Sequence, residues 1–376
     1  MQYQIHAKRD ATIYEKFPNK NTGIDQILEL VKTTSGSRLD DIFQIGTYNT
    51  RMLIDFSGPE FTALSESIAD GTIGTTDLRY YLNLKSIYAT DLPIDYTLFA
   101  FPVSESWNNG NGNYADIPET RNGVSWFFRD DYDTATKWDT GSAHSAHQLG
   151  IQEPHGGGTW VTGSGMEASQ SFSYTTTDVR MDVTNIVNKW LTNDISNYGL
   201  ILKQSYAAET SNSDSINLKF FSKDTHTVYS PRLEAVWNDH AWTNSVNIIH
   251  QTNEGGPVVY FKNINKEYAE GSKVQFRLGA RSKYPAKTYT TSSYYTTTGR
   301  LTSTSSYAVC DAVTGETLLD YDDTYTRINS DSEGCYFNYW MNSLSPERYY
   351  KFKIRSKYSN NEILYFDNGY YFKVVK

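Results

Sequence analysis

The sequence predicts an all-β protein built from two consecutive sandwiches, the first of which carries one short helix. The chain has 376 residues, more than a single hydrophobic core usually organises. Aromatic residues make up 15% of it, and Thr, Ser, Val and Ile are plentiful, a composition that favours strands. Short apolar segments alternate with stretches rich in Gly, Asn and Ser, as is typical of sandwiches and jelly rolls.

The first sandwich is predicted to span residues 1–240. In RMLIDF, residues 51–56, apolar and polar side chains alternate well enough for a half-buried strand. The strand-like segments of this region are residues 42–56, 78–89, 96–103, 198–204, 218–224 and 232–238. Stretches rich in turn-forming residues lie at 108–114, 153–160 and 210–215.

One segment of the first region, residues 182–194, has helical spacing. Its apolar side chains recur at the intervals that place them on one face of a helix, which predicts a short helix packed on the sandwich. The predicted face consists of Val183, Ile186, Val187, Trp190 and Leu191. Asp182 or Thr184 is expected to cap the start, and residues 196–199 end the helix before the next strand.

The second sandwich is predicted to span residues 241–376. Its strand-like segments are residues 273–283, 291–299, 305–321, 335–344 and 348–376. Thr314 and Gly315 form a predicted hairpin turn, and residues 358–363 form another. This number and spacing of strands favours an immunoglobulin-like sandwich.

Charge and hydropathy narrow the classes of function. Residues 1–240 hold 18 Lys and Arg against 30 Asp and Glu, a net charge of −12, which argues against a nucleic-acid groove. Residues 241–376 have a net charge of +3, no more than a solvated surface carries. No apolar run approaches the roughly 18 residues that span a bilayer, and the N-terminus lacks a signal-peptide layout.

Cys310 and Cys335 are interpreted as buried reduced thiols, with pairing across neighbouring strands left open.

The motifs of the first 240 residues occur in an order found in one family of domains. They are RDATIYE (9–15), NKNTGIDQILEL (19–30), RMLIDFS (51–57), SWNNGNGNY (106–114), GVSWFFRD (123–130), KWDTGS (137–142), GGGTW (156–160), DVTNIVNKWLTNDISNYGLILK (182–203) and KFFSKDTHTVYSPRLEAVWN (219–238). In these motifs the chain resembles the DNRLRE family of β-sandwich domains. It departs from that pattern at Lys223–Asp224, where the family often has an acidic residue after Ser, and at Ile201, where leucine is usual.

The resemblance implies both a fold and a setting. Members of the family are similar in fold to carbohydrate-binding modules, and they occur in cell-surface proteins, carbohydrate-active proteins and phage virions. The C-terminal sequence YYFKVVK, residues 370–376, resembles the tails of structural proteins from T4-like marine phages, the cyanophages. Together these resemblances imply a jelly-roll sandwich followed by an immunoglobulin-like one, in a virion assembled in the host cytoplasm.

The segment NGVSWFFRDDYDTATKW, residues 122–138, is the most aromatic candidate site. Trp126 and Trp138 occupy motif positions and are interpreted as core or loop-packing residues. The alternative is a platform for sugar rings, because aromatic faces suit the apolar CH surfaces of sugars. The candidate glycan-binding residues are Trp107, Trp126 and Trp160.

Two sets of residues are candidate metal ligands. Asp130, Asp131 and Asp133 are close enough in sequence to gather a structural Ca²⁺, although the EF-hand pattern is absent and a solvated acidic loop is the alternative. His144, His147 and His155 lack the Glu of a zinc-binding H-E-x-x-H helix and are interpreted as loop histidines. No other cofactor is expected.

The sequence predicts a non-enzymatic protein. Glu105 with Asp116, or Asp130 with Asp133, supplies a glycosidase-like carboxylate pair only in the way that any acidic sequence does. The segment TGSGM at 162–166 is not a nucleophile elbow. The expected function is that of a structural component of a tailed-phage virion, at the neck, baseplate or fibre attachment, contacting other virion proteins and copies of itself. The alternatives are a carbohydrate-binding module for host surface glycans and a hydrolase, and neither nucleic acid nor membrane is expected as a partner.

Overall fold

The computed structural model describes residues 1–39, 42–90, 96–139, 156–172, 177–211, 216–245, 247–249, 256–284, 299–358 and 362–376. The chain divides into two compact units. The N-terminal unit comprises Ile5–Asp70 and Arg79–Glu234, and the C-terminal unit comprises Met1–Gln4, Gly71–Leu78 and Ala235–Lys376. Strands in sandwich-like sheets dominate the described residues, so the predicted all-β class is confirmed.

The first part of the chain forms, in its described residues, two large sheets and one two-stranded sheet. Its elements are β1 Gln2–His6, β2 Arg9–Tyr14, β3 Ile27–Leu39, β4 Ile42–Asp55, α1 Pro59–Ala69, β5 Arg79–Leu84, β6 Ser86–Thr90, β7 Tyr96–Pro102, β8 Phe128–Asp130, β9 Thr136–Lys137, β10 Ala168–Phe172, β11 Val179–Asp182, α2 Thr184–Leu191, β12 Leu200–Lys203, α3 Tyr206–Thr210, β13 Ile216–Phe221 and β14 Arg232–Val236. One large sheet has the order β1-β14-β5-β11, and the other has the order β10-β7-β12-β4-β3-β13-β6, with β2 also pairing with β4; the two-stranded sheet consists of β8 and β9. Because β4 is long, its first part pairs with β3 and its last part with β2 and β12.

The predicted strand at 78–89 is two strands, β5 and β6, which belong to different sheets. The two strands separate at Lys85, where the Asp178 carboxylate forms two hydrogen bonds. The Asp178 carboxylate accepts the backbone N–H of Ser86 at 2.9 Å and the ammonium of Lys85 at 2.7 Å. A side chain therefore takes the hydrogen bond that would otherwise continue the ladder.

The predicted helix is confirmed as α2, with one change to its apolar face. Ile186, Val187 and Trp190 are buried, as is Val183 directly before the helix, whereas Leu191 is only half-buried. Asp182 Oδ1 accepts the backbone N–H of Thr184 at 2.9 Å and so satisfies one free donor of the first turn.

Two further helices, α1 and α3, were not predicted. Pro59 stands in the first turn of α1, where its missing N–H costs nothing. The helix buries Leu64 alone, so the sequence lacks a broad apolar stripe. The ring of Phe61 meets that of Trp190 edge-on, with 6.1 Å between centroids, which places α1 against α2.

The C-terminal unit is an immunoglobulin-like sandwich. Its elements are β15 Val258–Phe261, β16 Glu267–Ala269, β17 Lys273–Arg281, β18 Ser306–Asp311, β19 Thr317–Leu319, β20 Asn329–Asp331, β21 Gly334–Trp340, β22 Tyr349–Lys357, β23 Ile363–Phe366 and β24 Tyr371–Val375. One sheet has the order β15-β17-β21-β20 and the other β16-β24-β22-β18-β19, with β23 also on β22. The first sheet corresponds in strand order to the ABED sheet of immunoglobulin domains, and β24, β22 and β18 of the second correspond to the GFC sheet.

A tyrosine near the start of β22 strengthens that assignment. The Tyr350 hydroxyl donates to the carbonyl of Ser345 at 2.8 Å, which is the tyrosine corner of such sandwiches. Between the sheets, aromatic rings fill the core, and Tyr307 stacks on Phe337 with 4.1 Å between centroids. The predicted turn at Thr314 and Gly315 joins β18 to β19, and Gly315 has a φ of 76°, which favours glycine.

Several predicted features lie wholly or partly outside the described residues. Of the predicted strand at 291–299, only Gly299 is described, and the turn at 358–363 includes three residues that are not. Cys310 and Cys335 are both buried and free, which agrees with reduced thiols. Within the described ranges, no helix is long and apolar enough to cross a membrane.

Candidate functional site

The three tryptophans predicted to bind glycans are core residues. Trp107, Trp126 and Trp160 are only 3%, 0% and 5% exposed and belong to one apolar cluster. Guanidinium groups cover their rings: Arg9 lies 4.4 Å from the ring centroid of Trp107, and Arg51 lies 5.1 Å from that of Trp126 and 5.2 Å from that of Trp160. The predicted sugar-stacking platform on these rings is therefore wrong, and the packing interpretation holds.

The NKNTG motif holds the SWNNGNGNY loop in place through one fully buried side chain, Asn21. Its Nδ2 donates to the carbonyls of Asn109 at 2.7 Å and Val124 at 2.8 Å, and its Oδ1 accepts the N–H of Gly112 at 2.7 Å. Gly23 is required beside it, because a Cβ there would lie 1.9 Å from the carbonyl oxygen of Asn109. These motif residues are therefore structural.

The first and last motifs of the resemblance meet at Asp10, which is 1% exposed. Its carboxylate accepts the hydroxyl of Ser222 at 2.9 Å and the backbone N–H of Lys223 at 2.8 Å. Burial raises the pKa of Asp10 to about 7, although these two hydrogen bonds oppose the change. Because the second contact uses the backbone of Lys223, the unusual residue at that position does not disturb it.

A buried ionic cluster consists of Arg51, Lys203 and Glu209. Arg51 forms a bidentate pair with Glu209, at 3.0 and 2.8 Å, and Lys203 contacts the same carboxylate at 2.9 Å. Burial lowers the pKa of Lys203 to about 8, and Arg51 adds to the effect. Arg51 also donates to the carbonyl of Gly157 at 2.6 Å, so the cluster joins β4, β12 and α3 to the glycine-rich GGGTW motif.

The acidic residues predicted to bind Ca²⁺ do not assemble a site. Asp130 Oδ1 accepts the N–H of Tyr132 at 3.0 Å and the amide of Asn108 at 3.2 Å, so it serves the local turn. The part of the chain that the structure describes, Asp131 and Asp133 included, contains no group of three His, Cys, Asp or Glu placed to hold a metal ion. His144, His147 and His155 lie outside the described residues.

The carboxylates considered for glycosidase chemistry are engaged in loop contacts. Glu105 accepts the hydroxyl of Thr159 at 2.6 Å and lies 3.6 Å from the Arg129 guanidinium. Asp116 accepts the hydroxyl of Thr120 at 2.6 Å, and that bond lowers its pKa. Both carboxylates therefore secure the loops on which they lie.

The structure shows a different candidate site, a cleft of about 240 Å³ in the N-terminal unit. We call it the β3–β13 cleft. Its lining residues come from β2, β3, β4 and β13 and from two loops: Tyr14, Lys16, Phe17, Glu29, Val31, Thr33, Tyr48, Asn49, Thr50, Tyr114, Asn217 and Lys219. Aromatic rings form part of its wall, with 5.0 Å between the centroids of Tyr14 and Tyr114.

Glu29 is the polar centre of this cleft. Its carboxylate accepts the hydroxyl of Tyr14 at 2.8 Å and the ammonium of Lys219 at 2.5 Å. Burial raises the pKa of Tyr14 well above its ordinary value, and the charge of Glu29 raises it further, so this hydroxyl stays protonated and donating. Asn217 lies next to this pair, and its Oδ1 is shielded from solvent with no hydrogen-bond partner in the described part of the chain.

Sequence reasoning missed the cleft because its residues come from strands far apart in the chain. The weak signal was alternation: Glu29 and Val31 on β3, and Asn217 and Lys219 on β13, each two residues apart and so on one face. The register then pairs Glu29 with Lys219 and Val31 with Asn217. That register cannot be read from either segment alone.

Neither a protein-family model nor a curated protein sequence matches this chain. The resemblance to DNRLRE domains therefore stays a prediction, carried by the motifs whose structural roles are described above.

Proposed function

We propose that this protein is a non-enzymatic structural component of a tailed-phage virion, at its neck, baseplate or fibre-attachment region, and that it acts through protein–protein contacts. The observation that carries the proposal is a solvent-facing surface of the C-terminal unit. We call this surface the tyrosine-basic face and define it by Tyr349, Lys351, Lys353, Arg355, Tyr365 and Tyr371.

The tyrosines of this face are exposed although they lie on regular strands. Tyr349, Tyr365 and Tyr371 are 45%, 64% and 62% exposed. On β22 the intervening residues Tyr350 and Phe352 point into the core and are 0% and 3% exposed. The exposed rings therefore belong to the outer side of a well-packed sheet.

Basic side chains alternate along the same side of β22. Lys351 pairs with Asp367 at 2.7 Å, and Arg355 pairs with Asp323 at 2.6 Å. Lys353, between them in sequence, has no ion-pair partner within the described residues. Arg355 also lies 4.9 Å from the ring centroid of Tyr321, so cationic and aromatic groups are mixed on this face.

The tyrosines and the arginine of this face support a role in protein binding. Tyrosine and arginine are enriched at interfaces and among the residues that dominate binding energy. Lys353, which has no ion-pair partner among the described residues, favours an acidic partner, and residues 1–240 of this chain have a net charge of −12. Contacts with further copies of the chain, as well as with other virion proteins, are therefore expected.

Sedimentation velocity of the purified protein over a range of concentrations tests the proposal. We expect reversible self-association that weakens when Tyr365→Ser and Tyr371→Ser are combined. Tyr206→Ser is the matched control, because Tyr206 is 66% exposed but lies on α3 of the N-terminal unit. Mass spectrometry of purified phage particles should detect the chain. A protein that stays monomeric at every concentration and is absent from particles would overturn the proposal.

A further inference from the structure

One aromatic residue of the β3–β13 cleft, Tyr48, has no contact with another aromatic ring among the described residues. Tyr48 is half-buried, lines the cleft, and has no ring or hydrogen-bond contact with other described side chains. Tyr14, Phe17 and Tyr114, in contrast, pack on one another. An aromatic ring that lines a concave site suits the apolar CH surface of a sugar ring.

Hydrogen-bonding groups converge near this ring. The Glu29 carboxylate and the Lys219 ammonium offer an acceptor and a donor side by side. The Asn217 side-chain amide also lines the cleft. Adjacent donors and acceptors of this kind match neighbouring hydroxyl groups, each of which both donates and accepts.

The cleft also has an excess of positive charge in an acidic region of the chain. Lys219 is neutralised by Glu29, whereas Lys16 is exposed, lines the cleft, and has no ion-pair partner among the described residues. Residues 1–240 have a net charge of −12, whereas Lys16 adds positive charge at this concave site, with its Nζ 5.9 Å from the ring centroid of Phe17. A carboxylate on the ligand would complement it.

We propose that the β3–β13 cleft binds a saccharide that carries a carboxylate, such as a hexuronic acid unit. Tyr48 packs against the CH face of the sugar ring, Glu29, Lys219 and Asn217 bind its hydroxyls, and Lys16 binds its carboxylate. The site differs from the tryptophans that the sequence suggested, and it does not depend on the proposed role in assembly.

Saturation-transfer NMR with the intact chain tests this site. The probes are glucuronic and galacturonic acid, with glucose and galactose as their neutral counterparts. We expect saturation of both uronic acids, with affinities about two- to five-fold above those of the neutral sugars, the size of one exposed charge contact. Lys16→Met should remove this preference and Lys16→Arg should keep it, whereas Tyr48→Ala should weaken the binding of every sugar.

Two matched variants serve as controls. Lys8→Met removes an exposed lysine and Tyr132→Ala an exposed tyrosine, both in the N-terminal unit but outside the cleft, and neither should change binding. Absence of saturation for all four sugars would overturn the proposal. Equal affinity for charged and neutral sugars would overturn the assigned role of Lys16. The Tyr365→Ser and Tyr371→Ser variant should bind sugars normally, so that a failure of the assembly proposal and a failure of this one remain distinguishable.

Discussion

Within the N-terminal unit, buried polar side chains connect distant segments beside an apolar cluster, whereas aromatic contacts dominate the core within the C-terminal unit. In the N-terminal unit, single buried polar side chains such as Asn21, Asp10 and Arg51 connect segments far apart in sequence. In the C-terminal unit, a continuous cluster of aromatic rings lies between two sheets, with Phe276 and Phe352 only 4.7 Å apart between centroids. A polar connection is lost entirely when one partner is removed, whereas aromatic contact is shared among many neighbours.

The largest predicted loss of stability follows from removing Arg51 in the N-terminal unit. Arg51→Met leaves the buried carboxylate of Glu209 without its bidentate partner, and breaking such a pair costs about 3–5 kcal/mol. We expect loss of hydrogen-exchange protection in β4 and β12, measured by mass spectrometry. Arg121→Met is the control, because the Arg121–Glu119 pair is exposed and should contribute no more than about 1 kcal/mol. Equal effects of the two substitutions would contradict a stabilising role for the cluster.

The buried carboxyl of Asp10 should make the stability of the N-terminal unit depend on pH. Its folded pKa of about 7 lies above the ordinary value of 3.8, so between these values the folded form holds a proton that the unfolded chain releases. The contribution of this carboxyl to the free energy of unfolding is fully present below pH 3.8 and is lost as the pH rises through about 7. The slope is on the order of 1 kcal/mol per pH unit inside this window.

Urea unfolding at constant ionic strength, from pH 4 to pH 8, measures this dependence. Asp10→Asn should remain folded, because an amide can accept from Lys223 and donate to Ser222, and it should flatten the decline that the unchanged protein shows. Burial lowers the pKa of His6 to about 4, which acts in the opposite direction, but it does so in both proteins and cancels in their difference. If the free energy of unfolding of Asp10→Asn and of the unchanged protein depended on pH in the same way, Asp10 would not titrate as described.

The smallest loss of stability is predicted for a substitution in the C-terminal unit, Tyr350→Phe. Tyr350→Phe removes the hydrogen bond to Ser345 but leaves the ring in the core, so the loss should be about 0.5–1.5 kcal/mol. Hydrogen exchange of β22 measures it, and Tyr371→Phe, on an exposed tyrosine, is the control. Unfolding of the whole unit by Tyr350→Phe would show that it too depends on a single polar contact.

The elements that the sequence predicted are those with a strong local pattern. Alternation located β7 and helical spacing located α2, because one face of each is buried and a local period records it. Alternation also located β4, but residues 51–56 are buried on both faces, so the prediction of a half-buried strand there is wrong. The division of residues 78–89 into β5 and β6 depends on Asp178, almost a hundred positions away, so no local pattern carries it. Helix α1 was missed for the opposite reason, since it buries too little to leave a stripe.

The candidate sites were harder to predict, because exposure is a property of the fold. The sequence does not show whether the ring of an aromatic residue in a loop motif is exposed or buried. In this protein the guanidinium groups of Arg9 and Arg51 cover the tryptophan rings. The β3–β13 cleft depends on cross-strand register, which brings Glu29 beside Lys219. Tyr48, the residue that matters most to the proposed sugar contact, carries no sequence signal of its own.

The reaction of the two cysteines with a thiol reagent can report how often the C-terminal sandwich opens. They are the only cysteines of the chain, both are buried in the C-terminal unit, and burial raises the pKa of the Cys335 thiol to about 11. The reactive thiolate is therefore scarce while the unit is closed. The rate at which a thiol reagent labels the native protein then reports how often the C-terminal sandwich opens, with no signal from the N-terminal one.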